Sequence, residues 1–295
     1  MRFDGRARGW VEEVTGATVV RARRMTGGVT ATIHEVVLGD GRRVVLRRTV
    51  DLADEPEQDP VTEAEQEVLA LTALDGWDLV PELLAADLTG ARCGTPAVLT
   101  TRLPGRPWVA PGAHAGPWVD GLATALRAVH DRDVPLAALP PARAWIFGAP
   151  GPPSWAREPA AWRWAWEAAA GGLPSGGPDR LLHRDLHPGN VLFSRRHLSG
   201  IVDWESICRG PTDLDVARCR VQVAVLGGAD AAIALLDAVS DLVPGYDPRW
   251  EALVACELSP WSADLLACNR LGARLTLAGI RAALDDVVAR AAAYA

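Results

Sequence analysis

One 25-residue stretch, from Leu181 to Glu205, concentrates the side chains that could carry out chemistry. It reads LLHRDLHPGNVLFSRRHLSGIVDWE, and its two apolar runs, 191–193 and 201–202, predict the strands of a small hairpin. The polar side chains that flank these runs are His183, Arg184, Asp185, His187 and Asn190 before the first and Asp203 and Glu205 after the second. Carboxylate and amide oxygens are ligands that Mg²⁺ takes, with water and phosphate oxygens completing its shell. The stretch therefore predicts a metal–phosphate site for a nucleotide.

The motif HRDLHPGN at residues 183–190 resembles the catalytic loop of the protein-kinase-like superfamily, H-R-D-L-x-x-x-N. Asp203 stands where protein kinases place the Asp of Asp-Phe-Gly, but Trp204 and Glu205 follow it, so the Gly is missing. Only 11 residues separate Asp203 from Asp215, which is too few for a phosphorylatable activation segment. The pattern is similar to the aminoglycoside phosphotransferase family, which phosphorylates small molecules and includes antibiotic, choline and homoserine kinases.

This resemblance covers about residues 20–290 and implies an α+β, bilobal, protein-kinase-like fold. Residues 1–101 would form a nucleotide-binding lobe with a small antiparallel β-sheet and one helix. Residues 102–295 would form a mostly α-helical lobe that carries the catalytic loop and the acceptor site. A hinge near residues 100–105, beginning at Thr100, would recognise a purine through its backbone.

The implied reaction is transfer of the γ-phosphoryl group of ATP or GTP to a hydroxyl of a small molecule. Asp185 would accept or orient the hydroxyl proton, and Asn190 and Asp203 would hold a Mg²⁺ ion that bridges the phosphates. His187 would either assist near the γ-phosphate or pack the loop.

Two further residues of the motif region have structural roles by the same resemblance. His183 opens the catalytic loop, and Asp215 would accept hydrogen bonds from backbone N–H groups of that loop. A simpler alternative is that Asp213 caps the following helix.

The glycines Gly27 and Gly28, followed by Thr30, sit at the tip of a predicted hairpin early in the chain. Glycine lets backbone N–H groups approach phosphate oxygens closely, so these residues are candidates for a loop that covers the nucleotide. An ordinary hairpin turn accounts for the same pair of glycines.

All 30 basic residues other than histidine are arginine, so the lysine that usually binds the phosphates in kinase-like folds is missing. Arg47, at the end of a predicted strand, occupies the matching position. Its guanidinium keeps the charge and offers a planar fork to a phosphate. Glu65 is the favoured partner from the next helix, with Glu63 and Glu67 as close competitors.

Five of the 12 tryptophans fall within 22 residues, from Trp145 to Trp166. Such a cluster can form an aromatic wall for a ligand or a second core. We expect the acceptor to contact Trp155 and one of Trp162 and Trp164, with Glu158 available to meet an amine.

Composition limits the class of protein. The net charge of −7 argues against nucleic acid as a partner. No apolar run is long enough to span a membrane, and the five scattered cysteines indicate a reducing cytoplasm. Residues 100–295 hold 20 acidic and 19 basic residues, which favours an acceptor less charged than an aminoglycoside, such as a macrolide, peptide or nucleoside antibiotic.

Several alternatives stay open at this point. The chain could phosphorylate a metabolite, as choline and homoserine kinases do, or bind nucleotide without turnover as a pseudokinase, or phosphorylate protein. A monomer and a homodimer are equally compatible with the sequence.

Hydrophobic periodicity also predicts strands over 43–48, 80–87 and 97–101 and helices over 62–74, 118–130, 214–226, 230–242, 249–258, 263–277 and 280–293.

Overall fold

The computed structural model describes residues 1–25, 31–49, 60–110, 115–146, 150–271 and 273–294. The chain divides into two compact units. The first comprises Met1–Pro104 together with Gly200–Ile207, and the second comprises Gly105–Ser199 and Cys208–Ala295. The sequence prediction placed a boundary after residue 101 and did not anticipate that a short later segment returns to the first unit.

The first unit is built on a five-stranded antiparallel sheet with the strand order β1-β2-β3-β5-β4. Its elements are α1 (Gly5–Thr15), β1 (Val19–Arg24), β2 (Ala31–Leu38), β3 (Arg43–Thr49), α2 (Pro60–Ala73), β4 (Leu83–Asp87) and β5 (Ala97–Thr101). Asp4 starts α1 by accepting the N–H of Ala7, and Gly16 ends it with a φ of 66°, a left-handed conformation that glycine adopts without strain.

The sheet buries one apolar face because β-branched and leucine side chains alternate along its strands. Val36, Leu38, Val44, Leu46 and Leu99 meet in this core. Helix α1 covers them with its buried stripe of Ala7, Trp10 and Val11. The burial of this face fixes the register of β3, the strand that carries Arg47.

The segment Gly200–Ile207 belongs to the first unit because of specific contacts. The N–H of Ile201 donates to the carbonyl of Leu79 at 2.7 Å. Trp204 is fully buried, lies edge-on to Trp77 at a centroid distance of 6.0 Å, and donates its indole N–H to the carbonyl of Ile201. These contacts position Asp203, the residue between them.

The second unit is mostly helical. Its elements are β6 (Arg106–Pro107), α3 (Ala115–His130), α4 (Pro159–Ala170), β7 (Arg180–Leu182), β8 (Val191–Ser194), β9 (His197–Ile201, whose last two residues belong to the first unit), β10 (Cys208–Gly210), α5 (Thr212–Gly227), α6 (Ala229–Ala238), α7 (Arg249–Leu258) and α8 (Leu277–Ala293). β7 pairs with β10, and β6, β8 and β9 form a second small sheet. The HRDLHPGN motif occupies the connection between β7 and β8.

Helix α5 is the centre of this unit. It is buried on nearly every side and packs against α3, α6, α7 and α8, as its nearly continuous apolar sequence predicted. Because its neighbours enclose it, polar side chains on α5 must find partners within the protein.

One predicted helix is wrong. Residues 263–277 were expected to be α-helical, but the chain forms a 3-10 helix over Asp264–Leu271, and α8 begins only at Leu277. The side chain of Asn269 explains the break, because it accepts the N–H of Leu275 at 2.6 Å and donates to the carbonyl of the same residue. Such side-chain bonds to the backbone compete with a helix.

The predicted fold class is confirmed: an antiparallel sheet with α-helices lies in the N-terminal part and a mostly helical region follows. No helix among the described residues has the length and apolar character needed to cross a membrane.

Candidate active site

The predicted catalytic loop, residues 183–190, follows β7, and Asp215 of α5 anchors its beginning. The backbone N–H groups of His183 and Arg184 donate to the two oxygens of Asp215 at 2.9 and 2.8 Å. The imidazole Nε2 of His130 lies 3.2 Å from the same carboxylate. Burial raises the pKa of the Asp215 carboxyl, but these partners reverse the shift and hold the pKa below its ordinary value. A buried anion therefore fixes the loop one residue before Asp185.

Asp185 is held by cationic and amide groups. Arg218 of α5 donates from Nε to Oδ1 at 2.9 Å, and its terminal nitrogen lies 2.8 Å from the same oxygen. His187 Nε2 lies 3.5 Å from Oδ2. Burial raises the pKa of the Asp185 carboxyl, but Arg218 and His187 outweigh burial and hold the pKa well below its usual range. The side chain is 24% exposed, so this anion remains accessible.

Asn190 lies beside Asp185, as the motif spacing predicted. Its side-chain N–H₂ group donates to the backbone carbonyl of Asp185 at 3.0 Å and to Oδ2 at 3.3 Å. Within the described part of the chain, the amide oxygen of Asn190 accepts no hydrogen bond. The amide is thus oriented by the loop, with its oxygen left available as a ligand.

His187 packs inside the loop. Its Nδ1 accepts the N–H of Gly189 at 3.0 Å. A Cβ added to Gly189 would lie 2.6 Å from the imidazole ring, so the close approach requires glycine. These contacts favour the loop-packing alternative for His187, and a role toward a phosphate stays a prediction.

Arg184 is a buried cation in the middle of the motif. Its guanidinium donates to both oxygens of Glu257 on α7, at 2.6 and 3.2 Å, and to the carbonyl of Arg143. It also stacks on Trp145 at 3.8 Å from the ring centroid, and the backbone N–H of Trp145 donates to Glu257. With a φ of 70°, Arg184 has a left-handed backbone that costs energy in a residue with a side chain. Glu257 compensates by holding the guanidinium.

In the first unit, Arg47 is buried among carboxylates. Glu67 of α2 accepts its hydrogen bond at 3.2 Å, Glu63 lies 4.0 Å away, and Glu205 also contacts it. Burial lowers the pKa of Arg47, but the surrounding carboxylates, led by Glu67, reverse this and raise it. Burial raises the pKa of Glu67, and Arg47 offsets only part of that increase.

The prediction that Glu65 orients Arg47 is wrong. Glu63 and Glu67 are four residues apart and therefore share one face of α2. Glu65 lies between them in sequence, points to the opposite side of the helix and is exposed. The helix carboxylate is thus supplied by the two residues that the sequence left as alternatives.

Asp203 has an unusual backbone, with a φ of 71° that non-glycine residues rarely adopt. Its carboxylate is 34% exposed and lies 4.0 Å from Arg47. The exposed carboxylate of Asp203 and the available amide oxygen of Asn190 are both ligands of the type that fits Mg²⁺. Glu205 adds a further carboxylate in the first unit. The described residues contain no group of three or more His, Cys, Asp or Glu side chains arranged to hold a metal ion.

Two other nucleotide-site predictions have different outcomes. Gly27, Gly28 and Thr30 lie outside the described residues. Thr100 is buried in β5, where it pairs with Val45 of β3 and Leu83 of β4. Its role in nucleotide binding stays a prediction.

The expected acceptor contact is wrong for Trp162. This side chain is fully buried, and its indole N–H donates to Asp285 of α8 at 2.7 Å. Trp155 packs edge-on against Trp162 at 5.3 Å and lies near Arg281 of the same helix. Trp155 and Trp162 therefore help to join α4 to α8, which is the core role that the alternative interpretation gave them.

The other two acceptor candidates lie in separate surface depressions of the second unit. Exposed Glu158 helps line a cavity of about 220 Å³ together with Arg157 and Asp285. Trp164 lines another of about 400 Å³ with Asp247 and Arg249. An acceptor role for either residue stays a prediction.

Sequence reasoning missed three residues around the catalytic loop: Arg218, Glu257 and Trp145. Arg218 was only one more residue of a buried helix, although an arginine inside an apolar helix signals that a buried carboxylate must lie nearby. Glu257, in the apolar helix α7, gives the same signal. Trp145 belonged to the noted tryptophan cluster but was not singled out.

Comparison with known proteins agrees with this geometry. A model of the phosphotransferase enzyme family, APH, matches residues 21–253, and no curated protein matches the chain. Among solved structures, macrolide 2'-phosphotransferase MphH from Brachybacterium faecium is 18% identical, with a TM-score of 0.59, over 94% of this chain and 96% of that one. Aminoglycoside phosphotransferase APH(4)-Ia is 15% identical, with a TM-score of 0.63, over 96% and 98%.

These structural similarities establish a protein-kinase-like fold shared with antibiotic phosphotransferases. The family model spans well over half of the sequence and includes the catalytic loop. The chain therefore belongs to the APH phosphotransferase enzyme family.

Proposed function

We propose that this enzyme transfers the γ-phosphoryl group of ATP or GTP to a hydroxyl group of a small molecule. The observation that carries the proposal is Asp185: an accessible carboxylate, held as an anion, on a loop whose backbone is fixed by the buried Asp215. Structures of APH(4)-Ia variants in complex with ADP and hygromycin B, and with AMP-PNP and hygromycin B, support a nucleotide donor and a hydroxylated acceptor.

In the proposed reaction, the acceptor oxygen forms a bond to the γ-phosphorus while the bond from that phosphorus to the β–γ bridging oxygen breaks. The nucleoside diphosphate leaves. Because the pKa of Asp185 is well below its usual range, this carboxylate is a weak base. It therefore orients the hydroxyl first and accepts its proton late, as the bond to phosphorus forms.

Mg²⁺, for which we assign Asn190 and Asp203 as protein ligands, would supply neutralisation of phosphate charge. Arg47 remains our candidate for a phosphate contact in the first unit. The carboxylates around Arg47 orient its guanidinium and also compete for it, so a bound phosphate must exchange with Glu205 or share the cation with it.

The acceptor is proposed to carry little positive charge, as a macrolide or a peptide or nucleoside antibiotic does. Two carboxylates at the catalytic loop are already paired with arginine, Asp185 with Arg218 and Glu257 with Arg184. A third, Asp215, is occupied by His130 and by backbone N–H groups of the loop. A polycationic aminoglycoside needs unpaired carboxylates near its reacting hydroxyl. A metabolite is the alternative class of acceptor, and the screen described next separates the two classes.

The test is a screen for nucleotide-dependent gain of one phosphoryl mass. ATP or GTP with Mg²⁺ is combined with erythromycin, hygromycin B, choline or homoserine as acceptor. We expect phosphorylated product, with a higher kcat/KM for erythromycin than for hygromycin B. A preference for hygromycin B would contradict the proposed acceptor class, and exclusive activity on choline or homoserine would establish the metabolite alternative.

The matched variants are Asp185→Ala and Asp179→Ala, since Asp179 is an exposed aspartate of the same unit outside the loop. Asp185→Ala should lower transfer by at least about 10²-fold, the usual contribution of a general base, and leave nucleotide affinity intact. Asp179→Ala should behave like wild type. Nucleotide binding without transfer to any acceptor or to water would identify a pseudokinase and refute the proposal.

A further inference from the structure

Arg218 makes an asymmetric contact with the catalytic carboxylate. Two nitrogens of its guanidinium lie 2.9 and 2.8 Å from the same oxygen, Oδ1 of Asp185. Both nitrogens belong to one planar guanidinium, so they approach Oδ1 from the same side, and the cation covers that side of the oxygen. Oδ1 therefore carries the close, charge-assisted contact of this carboxylate.

The other oxygen, Oδ2, has weaker partners. Asn190 Nδ2 lies 3.3 Å away and His187 Nε2 lies 3.5 Å away. These distances are longer than those of good charge-assisted hydrogen bonds, about 2.7–2.9 Å. Oδ2 therefore keeps the capacity to accept a proton donor of normal strength, whereas the cation of Arg218 already occupies one side of Oδ1.

The guanidinium of Arg218 is itself held by the scaffold. Its third nitrogen lies 4.0 Å from Glu257, and its carbon lies 5.5 Å from the ring centroid of Trp145. Arg218 also lies three residues after Asp215 on α5, and Asp215 anchors the loop backbone. Helix α5 thus fixes the loop backbone through Asp215 and the side chain of Asp185 through Arg218.

We propose that Arg218 is a positioning residue for phosphoryl transfer: by occupying Oδ1 of Asp185 it presents Oδ2 to the hydroxyl of the acceptor. This inference rests on the proposed function. Arg218 does not exchange a proton in the step, because the hydroxyl proton passes to Oδ2, the new oxygen–phosphorus bond forms and the nucleoside diphosphate leaves. Its contribution is to prevent rotation of the carboxylate about the Cβ–Cγ bond.

A positioning role makes a distinct kinetic prediction. Misplacing a reacting group by about 1 Å can cost about 10²-fold in rate. Arg218→Gln should therefore lower kcat by about 10²-fold and leave the KM for ATP unchanged. Arg218→Lys keeps the charge but lacks the planar fork, so its kcat should lie between those of the Gln variant and wild type.

The assay uses full-length enzyme with ATP and Mg²⁺, with erythromycin, hygromycin B, choline and homoserine as acceptors and water as the acceptor of the hydrolysis reaction. Chemical rescue gives a readout that a purely structural role would not move. Millimolar guanidinium chloride should restore part of the kcat of Arg218→Ala, and the same concentration of urea, which has a similar shape but no charge, should not.

The matched control is Arg220→Gln. Arg220 lies on the same helix, is 14% exposed against 11% for Arg218, and pairs with Glu251 on α7. Among the described residues Arg220 contacts Ala232, Glu251 and Tyr246, and none of these lies in the catalytic loop. Its variant should therefore keep the wild-type kcat even if the melting temperatures of both variants fall by a similar amount.

The inference is overturned if folded Arg218→Gln keeps the wild-type kcat, or if guanidinium fails to rescue Arg218→Ala. Should the Gln variant not fold, Arg218→Lys decides, because wild-type kcat with lysine would show that the fork is not needed. Failure of the proposed function is recognised separately, since wild-type enzyme would then transfer phosphoryl to neither water nor any of these acceptors.

Discussion

The pair formed by Arg184 and Glu257 gives the sharpest prediction about stability. Their side chains are 2% and 1% exposed, and the guanidinium reaches both carboxylate oxygens. Glu257→Gln keeps the volume of the side chain and creates no cavity, but it leaves the Arg184 cation buried without its counter-ion. Breaking a buried ion pair by removing one partner costs about 3–5 kcal/mol.

The cost falls near the upper part of this range for a second reason. Glu257 also accepts a hydrogen bond from the backbone N–H of Trp145 at 2.8 Å. A glutamine has one acceptor oxygen, so its amide N–H₂ group must face either this N–H or the guanidinium, and an unsatisfied buried donor costs about 1–3 kcal/mol. For a cooperative unit of this size, about 3–5 kcal/mol corresponds to a fall in melting temperature of roughly 6–20 °C.

Urea unfolding and thermal melting measure this effect, and Glu167→Gln is the control because Glu167 is an exposed glutamate on α4. The control should stay within about 0.5 kcal/mol of wild type. A double-mutant cycle with Arg184→Met should show a smaller loss than the sum of the single losses, because each single variant leaves one buried charge unpaired. A Glu257→Gln protein as stable as the control, or strict additivity in the cycle, would refute the reasoning.

Four further predictions follow from the same contacts. Asp203→Asn should weaken ATP binding in the presence of Mg²⁺ more than in its absence, since an anionic ligand is lost; titrations with and without the metal measure this difference. Arg47→Ala should raise the KM for ATP well above that of Arg47→Lys, and equal steady-state constants for both would place phosphate binding elsewhere. Trp162→Phe should lower the unfolding free energy by about 1–3 kcal/mol, because the carboxylate that accepts its indole N–H loses a buried donor, and urea titration should show no such loss for Trp164→Phe. Burial, with nearby arginines, lowers the pKa of His34 to about 4; since the unfolded chain binds this proton near pH 6.5, wild-type stability should fall between about pH 6.5 and 4, and His34→Gln should show a flatter profile there.

The catalytic loop could be predicted because its information is local. Asp185 and Asn190 are five residues apart, and their relation is set by one short connection between two strands. The same holds for α7, whose predicted bounds of 249–258 agree with the structure because its apolar periodicity is continuous. Pattern and conformation coincide wherever neighbouring residues decide both.

Contacts between distant parts of the chain could not be read in this way. Arg218 is 33 residues from Asp185, and Glu257 is 73 residues from Arg184. The error at Glu65 has the same origin, because the sequence shows that α2 is amphipathic but not which of its faces turns toward β3. A shift of two residues on a helix moves a side chain by more than half a turn, so an approximate alignment selects the wrong carboxylate.

The return of Gly200–Ile207 to the first unit has a consequence for synthesis of the protein. A chain released from the ribosome up to Pro104 still lacks Trp204, so the indole of Trp77 has no aromatic partner from that segment and Ile201 cannot yet bond to Leu79. At about 5–20 residues per second, the missing segment arrives roughly 5–20 s later. During that interval the connection between α2 and β4 lacks the contacts that Trp204 and Ile201 make with it in the finished protein. The same connectivity means that a fragment ending at Pro104 should be less stable than the same fragment supplied with a peptide of residues 200–207.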